Sequence, residues 1–206
     1  SVTGVQTCAL PILKYNDLFS DRQNNNFKYR KIDINKLNDL KKLKSILKKK
    51  INYVVDFSSQ SMVGESWESP EDWINTNIKS KEKIYKIISK FKKLIYVRIS
   101  TPEVYGHNDT ATNERTKHNP STPYAITQSA SDFFLKAYAK EFKFRYLILR
   151  FANFYGPGQQ LYRIIPASIY SILKKKKITL HGDGLSQRSF IFTTDFCDGI
   201  LKAIKK

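Results

Sequence analysis

Short apolar runs alternate with longer helical patterns along this chain, and that alternation restricts its fold more than any other feature. Residues 51–57, 94–100 and 145–151 are predicted strands, the first of them buried. Residues 70–91 and 123–142 are predicted helices between them. Strands that alternate with helices predict βαβ units, in which the strands run parallel in one sheet. The sequence therefore predicts an α/β fold.

Local signals place the faces and ends of the helices. Residues 35–49 carry leucines and isoleucines at helical spacing, which predicts an amphipathic packing helix with a lysine-rich outer face. Ser121 or Thr122 can cap the helix over 123–142. Pro123 suits the first turn of that helix, because the N–H that proline lacks would have no helical partner there.

Lysine supplies most of the 36 basic residues behind the formal net charge of +18. Such an excess would favour nucleic acids, because basic groups displace counterions from phosphates. The densest runs, residues 48–50 and 174–177, fall near the ends of predicted helices, where cations meet the negative end of the helix dipole. The lysines also accompany many Asn, Ile, Tyr and Phe residues, a pattern typical of A+T-rich codons. We therefore predict solvated helix ends and no nucleic-acid partner.

Three features of the sequence indicate the cellular compartment of the protein and where its native sequence begins. Cys8 and Cys197 have no metal or disulfide spacing, which fits a reducing cytoplasm. No apolar run approaches the roughly 20 residues that span a bilayer, so no membrane partner is expected. Residues 2–12 lack the basic flank of a targeting segment and look like the in-frame translation of a sequencing adapter. We expect residues 1–12 to be non-native and the true start of the protein to be missing.

Polar motifs follow the predicted strands, at the edge where an open parallel sheet binds ligands. Residues 100–106 (STPEVYG) come directly after the second strand. Tyr124 and Gln128 lie four apart and therefore on one face of the next helix. The stretch after the third strand holds Asn153, Arg163, His181, Gly182, Asp183, Arg188 and Asp195.

In this order and spacing the motifs resemble those of the extended short-chain dehydrogenase/reductases that modify nucleotide sugars, the NAD-dependent epimerase/dehydratase family, and most closely its dTDP-glucose 4,6-dehydratase group. The resemblance runs from about residue 27 to residue 206 and includes residues 33–34, 56–61 and 75–77. It implies a Rossmann-like, doubly wound parallel sheet. A partial NAD-binding domain would span residues 13–152, and a substrate-binding region would begin over 153–206. The implied cofactor is NAD, the implied substrate is a nucleotide sugar, and the full-length protein is expected to be a homodimer.

The glycine-rich turn of that family, which binds the NAD pyrophosphate at a helix N-terminus, has no counterpart in the sequence. The only glycine before the matching region is Gly4, inside the suspected adapter. The family also continues beyond the position of Lys206. We therefore expect a fragment that is incomplete at both ends and inactive alone.

The resemblance assigns two sets of binding residues and no metal site. Those expected to contact NAD are Asp33, Ile34, Phe57, Ser58, Ser59, Asn77, Ser100, Tyr124 and Gln128. Those expected to contact the substrate are Ser61, Asn153, Arg163 and Arg188. An arginine suits a sugar diphosphate because its planar group donates several hydrogen bonds. Asn77 can alternatively satisfy backbone groups of a loop.

The family mechanism assigns roles to Tyr124, Thr101 and Glu103. Tyr124 stands where a tyrosine takes a proton from the sugar hydroxyl during oxidation, and Thr101 is placed to bind the same oxygen, or alternatively to cap a turn. The resulting ketone acidifies the neighbouring C–H, so a carboxylate at the position of Glu103 can remove that proton and open an elimination. The 4-epimerases of this fold usually have no acid there, so Glu103 favours a dehydratase or a decarboxylase.

Two residues depart from the family pattern. Pro102 replaces the aspartic acid that protonates the departing hydroxyl in dTDP-glucose dehydratases, so that proton must come from Glu103 or from water. Gln128 replaces a lysine of the catalytic set. An ammonium about 4 Å from the phenol, at an effective dielectric constant of about 20, would favour phenolate by roughly 4 kcal/mol. The loss of that charge predicts a raised pH optimum.

The sequence thus predicts a lyase that converts a nucleotide hexose to its 4-keto-6-deoxy form. A UDP-glucuronate decarboxylase and a nucleotide-sugar 4-epimerase of the same fold remain alternatives, and Glu103 disfavours the epimerase. Pro102 and Gln128 keep a catalytically inactive sugar-binding homologue open. A basic nucleic-acid-binding module is the alternative from a different class.

Overall fold

The computed structural model describes residues 30–108, 111–178, 180, 184 and 187–205. The chain divides into two compact units at the bond between Arg150 and Phe151. The suspected adapter at residues 1–12 lies outside the described residues, as do His181, Gly182 and Asp183. Within the described ranges, no helix is both long enough and apolar enough to cross a membrane.

Helices and strands alternate in both units. The first unit contains α1 (Leu37–Leu47), β1 (Tyr53–Asp56), α2 (Glu65–Glu68), α3 (Pro70–Trp73), a π-helical segment (Ile74–Ser80), α4 (Lys81–Ile88), β2 (Ile95–Ser100), a 3-10 helix (Pro102–Tyr105), α5 (Pro123–Phe142) and β3 (Arg145–Arg150). The second unit contains β4 (Asn153–Tyr155), α6 (Ile164–Leu173), β5 (Phe190–Phe192) and α7 (Thr193–Lys205).

Strands β1, β2 and β3 form a parallel sheet with β2 in the centre. Tyr53 pairs with Ile95, and Ile95 pairs with Arg145, so the three strands start level. Because the strands are parallel, their carboxyl ends lie at the same edge of the sheet. The loops after β1 and β2 therefore emerge at that edge. The predicted Rossmann-like α/β fold with a parallel sheet is confirmed.

Strand β1 is not the buried strand that its apolar sequence predicts. Among the described strands it pairs with β2 alone, which makes it an edge strand. Tyr53 is 44% exposed, and Asp56 is the one buried residue of the strand. An apolar strand is buried on both faces only where other elements cover both faces of the sheet at that position.

The predicted helix over residues 70–91 contains a wider turn that the sequence did not indicate. Helix α3 passes into the π-helical segment and then into α4, which ends at Ile88. Thr76, Asn77 and Ser80 of the π segment are buried. A π turn adds one residue to the hydrogen-bonded ring, shifts the faces of the side chains that follow, and is frequent at functional sites. Here it directs three small polar side chains into the interior.

Helices α1, α4 and α5 share one hydrophobic core with strand β2. Its buried members are Ile34, Leu40, Leu47, Ile84, Tyr85, Ile88, Leu94, Tyr96, Leu135, Ala139 and Phe144. Each large apolar side chain that is fully buried contributes roughly 1.5–3 kcal/mol before entropy is subtracted. The bounds of α5 agree with the sequence prediction. Thr122 is its N-cap, because its Oγ1 accepts a hydrogen bond from the Ala125 N–H at 3.1 Å.

Candidate active site

The loop after β2 places Thr101 and Glu103 on a short, capped 3-10 helix. The Glu103 N–H donates to Thr101 Oγ1 at 3.3 Å, so Thr101 caps this helix while its own hydroxyl proton stays available for a further bond. Thr101 is buried, whereas Glu103 is partly exposed. Pro102 occupies the first turn, where a missing N–H has no cost. The carboxylate of Glu103 therefore projects from a locally rigid turn.

Gly106 ends this turn in a conformation that suits glycine. Its φ is +70°, and a Cβ built on it would lie 2.1 Å from the Asn119 carbonyl oxygen. The Asn119 N–H in turn donates to the Val104 carbonyl at 2.9 Å. These contacts bring the segment before α5 back against the turn that carries Glu103.

Tyr124 lies in the first turn of α5 and is 9% exposed. Its backbone N–H donates to Ser66 Oγ of α2 at 3.2 Å. Its carbonyl accepts a bond from Thr127 Oγ1 at 2.8 Å. The start of α5 is therefore held to α2 as well as by its own cap, and these bonds fix the backbone from which the phenol projects.

Gln128 lies one turn after Tyr124 and is 2% exposed. Its Oε1 accepts a hydrogen bond from Nη2 of Arg98, a residue of β2. The same Nη2 lies 3.5 Å from the Gln128 carbonyl oxygen. Gln128, which stands at the predicted lysine position, therefore already accepts a hydrogen bond from a cation of strand β2.

Arg98, Asp132 and Arg150 form a group of charges that we call the Arg98 network, in which Arg98 and Asp132 are buried and Arg150 is partly buried. Arg98 Nε donates to Asp132 Oδ1 at 2.7 Å. Arg150 Nη2 donates to Asp132 Oδ2 at 2.6 Å, and Ser100 Oγ donates to the same oxygen at 2.8 Å. The side chains of Arg98 and Asp132 are 1% and 0% exposed. The network links the ends of β2 and β3 to the middle of α5.

His118 extends this network toward the loop before α5. Its Nε2 lies 3.3 Å from Arg150 Nη2, and its Nδ1 lies 2.7 Å from Ser129 Oγ. Because arginine can only donate, Nε2 must accept, and the ring is then neutral with its proton on Nδ1. Burial, followed by the Arg150 cation, lowers the pKa of His118, which agrees with that neutral form.

A second buried ion pair supports the loop after β1. Lys81 Nζ donates to Asp56 Oδ2 at 2.5 Å and to Ser58 Oγ at 2.8 Å, and the Tyr96 hydroxyl also donates to Asp56. Ser58 donates to Asp56 Oδ1 through its N–H at 2.9 Å and its Oγ at 2.5 Å. Burial alone would raise the pKa of Asp56, but Lys81 and these hydrogen bonds outweigh it and lower that pKa to about 2. Burial lowers the pKa of Lys81 to about 8.

Asn77 connects the same loop to α5. Its Oδ1 accepts from the Gln60 N–H at 2.9 Å, and its Nδ2 donates to the Gln60 carbonyl at 3.0 Å and to Thr127 Oγ1 at 3.1 Å. Asn77 is fully buried, and its hydrogen bond to Thr127 is buried with it. Its side chain therefore satisfies the loop backbone and ties it to the residue that contacts the Tyr124 carbonyl.

The remaining residues of the predicted NAD set differ in what they can offer a ligand. Ile34 is 2% exposed and packs in the hydrophobic core, so a ligand can meet its backbone but not its side chain. Asp33 is partly exposed, and its Oδ1 accepts a bond from the Asn35 N–H at 2.9 Å. Phe57 is exposed, and Ser59 is partly exposed. The predicted substrate residue Ser61 is exposed on the same loop.

Asn153, Arg163 and Arg188 belong to the second unit. The Asn153 N–H donates to the Ser189 carbonyl at 3.2 Å, so Asn153 and Arg188 lie on neighbouring backbones where β4 and β5 begin to pair. Both are exposed. Arg163 precedes α6, and its guanidinium lies 5.2 Å from the centre of the Tyr162 ring. Asn153 and Arg188 are thus neighbours, while Arg163 starts a different element.

The model of the NAD dependent epimerase/dehydratase family matches residues 13–206. The chain belongs to this family. Its curated relatives include the dTDP-D-glucose 4,6-dehydratase of Homo sapiens, which is 30% identical over 158 residues that cover 76% of this chain and 45% of that protein. The dTDP-glucose 4,6-dehydratase of Mycolicibacterium smegmatis is 30% identical over 146 residues, covering 69% of this chain and 44% of that protein. The chain therefore spans less than half the length of these relatives.

The similar solved structures include a 4,6-dehydratase and a 4-epimerase. The dTDP-glucose 4,6-dehydratase from Bacillus anthracis, in complex with NAD, matches with a TM-score of 0.80 and 27% identity, covering 93% of this chain and 59% of that one. A UDP-glucuronic acid 4-epimerase from Bacillus cereus, in complex with UDP-glucuronic acid and NAD, matches with a TM-score of 0.87 and 26% identity, covering 99% and 65%. The predicted family and its cofactor, NAD, are confirmed.

The described residues suit NAD in their chemistry. Asp56 of β1 pairs with Arg98 of β2, so the loop after β1 and Ser100 at the end of β2 lie at the same edge of the sheet. That edge offers hydroxyl groups, the amide of Gln128 and loop backbone groups, which are the partners that ribose hydroxyls and a carboxamide need. When bound there, NAD would be held by the residues after β1 and β2 and by the first turns of α5.

Sequence reasoning missed the buried polar residues behind the site. The sequence places Arg98 in the predicted strand over residues 94–100 and Lys81 in the predicted helix over residues 70–91, with no role for either side chain. Asp132, Arg150 and His118 carried no motif of their own. A charged residue inside an otherwise apolar strand was the one available signal, because a fully buried charge requires a partner.

Proposed function

We propose that this chain comes from an NAD-dependent nucleotide-sugar 4,6-dehydratase, a lyase that acts on a nucleotide hexose. The observation that carries the proposal is the position of Glu103. It lies on a capped turn at the carboxyl end of the central strand β2, two residues after Thr101. A carboxylate held at that edge is what an elimination beside a transient 4-ketone requires, and it has no role in a simple epimerisation at C4.

Each step of the reaction can be assigned to a residue of the site. NAD, when bound, supplies the oxidation at C4 and the later reduction at C6. Tyr124 takes the proton of the C4 hydroxyl, and Thr101 donates a hydrogen bond to the same oxygen. Glu103 removes the proton at C5 as the C6 hydroxyl departs. Because Pro102 carries no acid, the protonated Glu103 then gives its proton to the departing hydroxyl, which leaves as water. When C6 is reduced, C5 takes up a proton from solvent and Tyr124 releases its proton to solvent, so that the protons balance.

Mass spectrometry of the product separates this reaction from its alternatives. The full-length protein is incubated with NAD and dTDP-glucose, and we expect a product that has lost one water. Glu103→Gln should lower the rate by about 10²–10⁴-fold, the usual contribution of a positioned acid or base. Glu114→Gln, an exposed acid in the following loop, is the matched control and should leave the rate unchanged.

The second candidate is a 4-epimerase, which the similarity to the UDP-glucuronic acid 4-epimerase over nearly the whole chain favours. An epimerase would return a product of unchanged mass, and Glu103→Gln would then have little effect. A decarboxylase would release carbon dioxide from a nucleotide uronic acid and leave dTDP-glucose untouched. Either result would contradict the dehydratase proposal.

We also infer that the full-length protein is a homodimer. Ile126, Phe133 and Phe134 are exposed apolar residues of α5, and a second copy of the chain can cover them. Light scattering after gel filtration should give twice the mass of one chain, and Phe133→Asp should reduce it to one. A monomeric wild type would contradict the inference.

A further inference from the structure

The Arg98 network carries more positive than negative charge. Arg98 and Arg150 are both cations, and Asp132 is the single anion between them. The groups that complete the network, Ser100 and His118, are neutral in the arrangement described above. One positive charge therefore remains uncompensated within the network, directly beneath the face of α5 that bears Gln128.

The contact with Arg98 decides how the Gln128 amide is oriented. A guanidinium has only donors, so the amide atom that faces Arg98 Nη2 must be the carbonyl oxygen. The amide nitrogen is then directed away from that contact. Any ligand that reaches this amide meets N–H donors and not an acceptor.

We propose that Arg98 is a positioning residue of the candidate active site, which turns Gln128 into a fixed hydrogen-bond donor and supplies the positive charge beside it from strand β2. The group that Gln128 binds is then an acceptor, such as a ribose hydroxyl oxygen of the cofactor. This inference rests on the proposed function, because it assumes that NAD lies over this face of α5.

The arrangement also explains why lysine at position 128 would be unfavourable in this chain. An ammonium there would lie against the Arg98 guanidinium, and two cations would share one buried site without a second anion. The raised pH optimum predicted from the missing lysine is therefore not to be tested by Gln128→Lys alone. Arg98 must be changed with it.

A double-mutant cycle in the full-length protein tests the coupling. The four forms are wild type, Gln128→Lys, Arg98→Met and the double variant, and each is measured for its thermal midpoint and its Kd for NAD by calorimetry. We expect Gln128→Lys alone to lower the midpoint and to raise the Kd, and Arg98→Met to reverse most of both effects. Coupled neighbours change a binding constant by about threefold to 100-fold beyond additivity. Arg145→Met, which removes an exposed cation of β3 outside the network, is the matched control and should change neither value.

A second pair of variants separates positioning from structural support. Arg98→Lys keeps a positive charge for Asp132 but cannot donate to Asp132 and Gln128 together, since it lacks the planar fork. We expect Arg98→Lys to raise the Kd for NAD in the wild-type background and to have no such effect in a Gln128→Met background. This pair also decides the question should Arg98→Met not fold.

The outcomes distinguish the two proposals. Additive effects in a protein that binds NAD would overturn the role of Arg98 and leave the proposed function standing. The same would follow from an equal effect of Arg98→Lys in both backgrounds. A wild type that binds no NAD would overturn the proposed function, and this inference with it.

Discussion

Acid should destabilise this protein through one carboxylate in particular, that of Asp56. Its pKa is lowered from an ordinary value of 3.8 to about 2 in the folded protein, where Lys81, Ser58 and Tyr96 donate to it. At about 1.4 kcal/mol for each pKa unit, that difference corresponds to about 2 kcal/mol of folding free energy. Because the folded state holds the pKa below its unfolded value, this stability is complete above about pH 4 and is lost as the pH falls toward 2.

Urea unfolding of the full-length protein, at a series of pH values from about 6 down to about 3, measures this dependence. Asp56→Asn alone should cost about 3–5 kcal/mol, because it leaves Lys81 buried without its anion. Asp56→Asn/Lys81→Met removes both charges, and we expect it to recover most of that loss. The double variant should also lose the part of the acid dependence that Asp56 contributes.

The matched control for this experiment is Asp72→Asn, which neutralises an exposed carboxylate of α3. It should unfold with the same pH dependence as wild type. If the double variant Asp56→Asn/Lys81→Met also lost stability with acid as steeply as wild type, Asp56 would not be the group responsible and the reasoning would be refuted.

Three further substitutions test single contacts, each by urea unfolding. Gly106→Ala should destabilise the protein by more than about 1 kcal/mol, because the positive φ and the Asn119 carbonyl both oppose a side chain there. Asn77→Ala should cost about 3 kcal/mol through the loss of three hydrogen bonds of a buried side chain, and should also raise the Kd for NAD. Thr122→Ala should cost about 1 kcal/mol through the loss of the α5 cap, whereas Ser121→Ala should cost nothing. An unchanged unfolding midpoint in Gly106→Ala, Asn77→Ala or Thr122→Ala would contradict the corresponding contact.

The elements that sequence predicted best are those whose signals are local. The helix from Pro123 to Phe142 has a capping threonine and a proline in its first turn, and its observed bounds agree with the prediction. The π-helical turn was missed because it depends on which polar side chains the interior accepts, and apolar spacing does not record that. The exposure of β1 was missed because it depends on which elements cover the faces of the sheet at that strand.

The candidate site was predictable as a set of motifs but not as a set of contacts. The order of residues 100–106, Tyr124 and Gln128 identified the family. That Gln128 meets Arg98, or that Asn77 joins Gln60 to Thr127, depends on tertiary pairing between residues distant in sequence. No spacing rule brings such residues together before the fold is known.

The hydrogen bonds of Asn77 connect the loop after β1 to Tyr124 by way of Thr127. A ligand that orders Gln60 also strengthens the bonds of Asn77, and through Thr127 it restrains the carbonyl of Tyr124. Amide hydrogens in the first turns of α5 should therefore exchange with solvent more slowly when the loop is occupied, although α5 need not contact that part of the ligand. Cofactor binding at the loop and the positioning of the Tyr124 phenol would then depend on the same local opening equilibrium.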